Sequence, residues 1–223
     1  MIELAYLQNE IYFPPLENAT PEGLLAYGGD LSAKRLLYAY SRGIFPWYNE
    51  GDPILWWAPD PRLVLFVDEF KLRKSLKKRF KHFEVRYDTA FKEVMQACRT
   101  VPREGQEGTW ILPELIDAFC GLHEMGYAHS VEAWQEGELV GGLYGLVIGK
   151  MFFGESMFAK VSDASKVAFA HLVSRLKEEG FTLIDCQVSS EHLISLGARE
   201  ISRQEFTEHI NVQISKGNAP SQW

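Results

Sequence analysis

The 223-residue chain predicts a mixed α/β protein: a mixed, largely antiparallel sheet with flanking helices, preceded by a small N-terminal domain. Three observations carry this. From residue 63 onward, short apolar runs alternate with stretches of helical periodicity. Two of those runs, 139–148 and 151–155, are separated only by Gly149-Lys150, which reads as a hairpin. Residues 1–62 are instead rich in turn residues and aromatics and close on Pro59-Asp60-Pro61-Arg62. The expected domains are therefore 1–62 and 63–223.

In the first segment one helix is expected, capped by Ser32, with Leu36, Leu37 and Tyr40 on its face and Gly43 at its end. Leu63 to Val67 is a short strand. Lys71 to His82 reads as a helix with Leu72, Leu76 and Phe80 on one stripe, at i, i+4 and i+8. Helices follow at Thr89–Arg99 and Pro113–Met125, the second stopped by Gly126. Ala128–Trp134 is a strand that turns at Glu136-Gly137 into the hairpin. Ser162-Asp163 is read as the cap of a helix over 164–179, ended by Gly180. Phe181–Gln187 is a buried strand, Glu191–Leu196 a short helix, and a last strand and helix lead to a polar tail from Asn211.

Composition narrows the function classes. Cys98, Cys120 and Cys186 are odd in number and far apart, which argues against a disulfide framework or thiolate metal site and fits a reducing cytoplasm. No Lys or Arg precedes Lys34, so neither a secretory signal nor a transit peptide is expected. The longest apolar run, 139–149, is too short to span a bilayer. The six histidines form no metal-ligand pattern.

The net charge of −7 and isoelectric point near 5.4, taken as totals, argue against a nucleic-acid partner. Position reverses that inference. Lys71, Arg73, Lys74, Lys77, Lys78, Arg79 and Lys81 lie within eleven residues that contain no acid, leaving 16 basic and 30 acidic residues elsewhere. A cationic patch on an acidic body suits phosphate binding, although a solvated surface helix is the commoner fate of a charge run.

Three further constellations stand out. Trp47, Trp56 and Trp57, with Phe45 and Tyr48, are mostly core of a small domain; Trp47 and Trp110 are the candidates for exposure and base stacking. Gly154-Glu155-Ser156-Met157-Phe158 fails the nucleophile-elbow pattern at Phe158 and leaves Glu155 as a carboxylate at a strand end. Asp185 and Gln187, two apart in a strand, point to the same face. Polar groups at the end of a buried strand each need a partner, and such strand ends line ligand crevices in open α/β sheets.

The strand and helix order resembles the acyl-CoA N-acyltransferase fold. More specifically, an ordered set of segments over roughly residues 13–206 resembles the bacterial leucyl/phenylalanyl-tRNA protein transferases. The most telling are Gly28-Gly29-Asp30-Leu31-Ser32, Gly43-Ile44-Phe45-Pro46-Trp47, Pro59-Asp60-Pro61-Arg62, Gly108-Thr109-Trp110-Ile111, Ala128-His129-Ser130-Val131-Glu132, Gly154-Glu155-Ser156-Met157-Phe158 and Ile184-Asp185-Cys186-Gln187. Departures fall in the 100–107 stretch and the tail.

The resemblance implies transfer of Leu or Phe, Met less well, from aminoacyl-tRNA to the α-amine of proteins beginning with Arg or Lys, marking them for degradation. It implies no metal and no cofactor, since an aminoacyl ester is already activated. It also implies a cytoplasmic protein, taken here as a monomer. Carried to matching positions, Asp185 would hold or deprotonate the acceptor amine and Gln187 would position it. Glu155 would support them or hold the substrate amine. Leu143, Phe152, Met157 and Ile184 would form the side-chain pocket, Trp47 and Trp110 would border the terminal adenosine, and the basic segment would grip acceptor-stem phosphates.

Two competing readings remain on the sequence. An acyl-CoA-dependent N-acetyltransferase needs a glycine-rich turn before its central helix, and residues 156–163 contain no glycine. A non-catalytic RNA-binding module leaves Asp185 and Gln187 unexplained.

Overall fold

The computed structural model describes residues 4–101, 109–215 and 223. Gly108 of the 108–111 segment, most of the 100–107 stretch and most of the tail lie outside these. The elements run β1 (Ala5–Leu7), β2 (Leu24–Gly28), α1 (Ala33–Tyr40), β3 (Phe45–Pro46), β4 (Leu55–Trp57), β5 (Arg62–Phe66), α2 (Lys74–Arg79), β6 (Glu84–Tyr87), α3 (Phe91–Thr100) and α4 (Pro113–Glu124). They continue through β7 (Ala128–Gln135), β8 (Glu138–Ile148), β9 (Met151–Ala159), α5 (Ala164–Glu178), β10 (Leu183–Gln187), α6 (Glu191–Ser195), β11 (Arg199–Ile201) and α7 (Arg203–Ile214).

The strands form two sheets. A four-stranded sheet has the order β1-β2-β4-β3, and a seven-stranded sheet the order β11-β5-β10-β9-β8-β7-β6. In the large sheet every neighbouring pair is antiparallel except β9–β10. A parallel pair needs a crossover, and α5 supplies it.

Alternation along β8 builds two cores. Tyr144, Leu146 and Ile148 join Phe119, Phe153, Trp56 and Phe206 on one face; Leu143 and Val147 join Phe152, Leu172, Leu176 and Ile184 under α5 on the other. The first core continues into the small sheet, so both sheets share apolar packing. Glycine is required at two places on β8. A Cβ on Gly141 would lie 2.4 Å from the Ala164 Cβ, and one on Gly145 would lie 2.2 Å from the Phe153 carbonyl and 2.7 Å from the Phe152 ring. The first lets α5 close on the sheet; the second lets the Phe152 ring approach the β8 backbone.

Several expectations are corrected. The basic helix is shorter than its periodicity suggests: α2 starts at Lys74, a 3-10 turn takes over at Phe80–His82, and Leu72 lies outside it, 39% exposed. Only Leu76 of the proposed stripe is fully buried, with Phe80 half-buried against His171. Asp163 occupies the N-cap position of α5 as expected, but its side chain accepts no N–H of the first turn. It adopts a left-handed conformation (φ 69°) and pairs with Arg79 at 3.7 Å and Lys166 at 3.5 Å. Ser32, by contrast, caps α1 as expected, accepting from the Arg35 N–H. The supposed tail from Asn211 is helical to Ile214, because Gln213 is buried and its carbonyl accepts from the Lys150 N–H. No helix of the described residues is long and apolar enough to cross a membrane.

Candidate active site

The site forms where β9 and β10 part. Their parallel pairing covers only Leu183–Asp185 against Met151–Phe153. Beyond that point β9 stays with β8, while β10 becomes irregular between Asp185 and Gln187 and Gln187 turns left-handed (φ 64°). A cavity of about 400 Å³ fills the opening. Trp47, Trp110, Leu143, Phe152, Met157, Ile184, Glu155, Asp185 and Gln187 all line it. The sequence separates these nine residues by up to 140 positions; the divergence of two strands brings them together.

Their environments differ from expectation in two cases. Trp47 is 37% exposed, as a residue after Pro46 in an open segment should be, but Trp110 is only 8% exposed and contributes a packed wall. Glu155 is not a strand-end residue on the surface. On β9, Gly154 pairs with Gly145 and Ser156 with Tyr144, so Glu155 is the extra residue of a bulge, and it is 8% exposed. A bulge re-aims a side chain, here into the gap between the strands.

The polar groups form two linked sets. Tyr40 Oη donates to Glu155 Oε1 at 2.7 Å, and Gln187 Nε2 donates to the same oxygen at 2.7 Å. Asp185 accepts a bidentate pair from Arg62: Nε to Oδ1 at 2.8 Å and Nη2 to Oδ2 at 2.7 Å. Its Oδ1 also accepts the Gln187 N–H at 2.9 Å, which fixes the left-handed turn of Gln187. Asp185 is fully buried, and Arg62 is held between the rings of Phe45 and Phe206, each 4.7 Å from its guanidinium carbon.

Electrostatics separate the groups further. Burial pushes the Glu155 carboxyl up to about 8, with the Asp185 charge adding to it and the Tyr40 and Gln187 hydrogen bonds opposing it. Tyr40 is raised well above the usual phenol value by burial and by Glu155. Burial, then the Asp185 charge, likewise raise the Cys186 thiol, so this wall residue is a poor nucleophile. His192, also on the cavity wall, is lowered by burial and then by Lys166.

Sequence reasoning passed over Tyr40 and Arg62. Tyr40 looked like one more apolar residue on the face of α1, and Pro59-Asp60-Pro61-Arg62 looked like a boundary. Nothing local signals that either reaches a carboxylate 115 or 123 positions away. The basic segment lies outside the cavity but beside it. The Lys71 N–H donates to the Leu196 carbonyl, just past α6, whose His192 and Leu193 line the wall. Lys71, Arg73, Lys74, Lys77, Lys78 and Lys81 are exposed, whereas Arg79 is half-buried on Asp163. Among the described residues, no group of three or more His, Cys, Asp or Glu could hold a metal ion.

A mixed sheet opened between its two parallel strands, with an apolar cavity in which a carboxylate and an amide converge, makes this an α/β protein with a ligand-sized crevice at its strand ends. The family model for leucyl/phenylalanyl-tRNA protein transferase matches residues 64–211, and the model for that family's N-terminal domain matches residues 29–60. The Leucyl/phenylalanyl-tRNA--protein transferase of Nitrosospira multiformis is 54% identical over 99% of this chain and 96% of its own. That of Chromobacterium violaceum is 53% identical over the same shares. The chain belongs to this family of aminoacyltransferases. A GCN5-related N-acetyltransferase from Kribbella flavida aligns at a TM-score of 0.40 and 9% identity over 72% of this chain and 57% of that one, too distant to argue from.

Proposed function

We propose that this enzyme transfers Leu or Phe, and Met less well, from aminoacyl-tRNA to the α-amine of proteins beginning with Arg or Lys, marking them for degradation in the cytoplasm. The observation that carries the reading is the apolar cavity with Glu155 and Gln187 hydrogen-bonded at its polar end. An aminoacyl ester is activated before it arrives, so the protein has to orient an amine on a carbonyl, remove a proton and let a ribose oxygen leave. Leu143, Phe152, Met157 and Ile184 take the apolar side chain, and Trp47 and Trp110 border the terminal adenosine. Gln187 positions the amine and ester. Asp185, tied to Arg62, holds Gln187 in place.

An apolar wall discriminates weakly between side chains that differ by a methylene, about 1–3 kcal/mol, which supports tolerance of Leu, Phe and Met. The test is transfer of labelled Leu from charged tRNA to an Arg-initiated peptide. Transfer is expected to fall about a hundredfold in Gln187→Ala with aminoacyl-tRNA binding retained. No transfer by the wild-type enzyme, or acetylation of the same peptide from acetyl-CoA instead, removes the reading.

The exposed lysines of the 71–81 segment support a phosphate-gripping role without base readout. In Lys77→Glu with Lys78→Glu, tRNA affinity is expected to drop and the slope of log affinity against log salt to flatten by about two, one per lost phosphate contact. An unchanged slope returns this patch to solubility alone.

A further inference from the structure

Both carboxylates of the site were candidates for removing the acceptor's proton, and the geometry points to Glu155 as the base, with Tyr40 as the positioning residue that presents it. This rests on the reading of the site as one where an α-amine attacks an aminoacyl ester.

The two carboxylates are not equivalent. Asp185 is fully buried, and both its oxygens are engaged by Arg62, Oδ1 also by the Gln187 N–H. An acceptor amine therefore meets no Asp185 oxygen that is free of the bidentate ion pair. Glu155 differs. Its two hydrogen bonds, from Tyr40 and Gln187, fall on Oε1. Among the described residues Oε2 receives none, and the residue keeps its small exposure on the cavity side. Glu155 therefore has one oxygen anchored and one available.

Its basicity suits the task. A carboxyl raised to about 8 lies close to an α-ammonium, near 8 in peptides, so the proton passes between them with little free-energy change. An ordinary carboxylate would be several units too weak a base. The groups facing Glu155 are Tyr40 from α1, Asp185 and Gln187 from β10, and Arg62 of β5 behind Asp185; Tyr144 of β8 lies near Tyr40. His192 of α6 shares the cavity, but its titration is displaced below 6.5, away from this range.

The ammonium gives one proton to Glu155 Oε2, and the freed amine nitrogen attacks the ester carbonyl carbon. The new C–N bond forms as the bond from carbonyl carbon to ribose oxygen breaks. The second nitrogen proton goes to that departing oxygen, giving free tRNA, and Glu155 releases the first proton to solvent. Tyr40 keeps its own proton throughout, and its role is to orient the carboxylate and favour its charged form.

The base must be ionised, so turnover rises with pH through a midpoint near 8. Tyr40→Phe removes a donor that favours the carboxylate, so the midpoint moves to higher pH by about half a unit or more. A limb belonging to the acceptor amine would not move. The experiment is the single-turnover pH profile of wild type and Tyr40→Phe with one Arg-initiated peptide. It is accompanied by infrared titration of the carboxyl C=O band that Glu155→Gln removes. The expected results are an alkaline shift with activity recovered at high pH, and a Glu155 band titrating near 8. A reduced rate with an unmoved midpoint, a Glu155 band titrating near 4.5, or Glu155→Gln keeping the wild-type rate overturns the proposal. The infrared measurement needs no transfer and no variant with altered packing at Tyr40. Absence of transfer in the wild type would instead count against the function.

Discussion

Replacing Arg62 by Met is expected to lower stability by about 3–5 kcal/mol and abolish transfer, because it strands the buried Asp185 carboxylate without its partner. For a chain of this size that corresponds to a fall of about 10 °C in the thermal midpoint. The guanidinium does three things at once. It pairs with both Asp185 oxygens, fills the slot between Phe45 and Phe206, and so links β3, β5, β10 and α7. Met retains much of the volume, so the loss isolates the charge. Adding Asp185→Leu to Arg62→Met removes the orphan, and most of the stability should return, since a buried ion pair exchanged for apolar groups of similar size is often neutral. Transfer should not return, because the Gln187 N–H has then lost the acceptor that holds its left-handed turn. Calorimetry on the two variants, beside the transfer assay, separates these effects. A single variant as stable as wild type, or a double variant with normal turnover, contradicts this account.

The second large effect is expected at Glu132, which does not line the cavity. It is fully buried on β7, and α3 has no side-chain cap of its own. Glu132 supplies one from another element. Its Oε1 accepts the Thr89 and Ala90 N–H groups at 2.9 Å each and the Ser130 hydroxyl at 2.8 Å. Its Oε2 accepts the Thr89 hydroxyl and the Trp134 indole N–H. A carboxylate at a helix N-terminus also opposes the positive end of the helix dipole. Glu132→Leu leaves these donors without an acceptor in a closed site, at a cost of about 3–5 kcal/mol. Glu132→Gln keeps one carbonyl acceptor and should lose markedly less. The check is the denaturation midpoint of both variants; a Leu variant melting within a degree or two of wild type would refute the capping role. This also gives Ala128-His129-Ser130-Val131-Glu132 a structural meaning. His129 Nδ1 sits 2.7 Å from Asp88 Oδ2, whose other oxygen accepts the Ser130 N–H, so the segment ties β7 to the entrance of α3.

Local signals made much of this protein legible. The Gly149-Lys150 turn between the apolar runs 139–148 and 151–155 gave the hairpin, and the start at Ser162-Asp163 with the stop at Gly180 gave the long helix, because each signal sits in contiguous residues. The 71–81 patch was visible because charge needs no fold to be counted. The basic segment also shows where such signals stop. Leu72 continues the helical stripe in sequence, yet the chain before Lys74 runs alongside α6, where the Lys71 N–H finds the Leu196 carbonyl. The better partner lay in another element, and periodicity cannot register it.

What the sequence determined by itself is most of the elements after residue 62, the uneven charge and the family, each written in contiguous residues or their order along the chain; the four strands of the small sheet and β6 were not read from it. The tertiary structure alone decided what each carboxylate is. Asp185 and Glu155 look alike as letters in apolar strands. One became half of a closed ion pair because β5 delivers Arg62, and the other kept an open oxygen because a bulge on β9 turns it toward Tyr40 and Gln187. The physical reason is that a carboxylate's basicity and accessibility are set by its desolvation and by the donors within hydrogen-bond reach, and here those donors come from strands and helices remote in sequence.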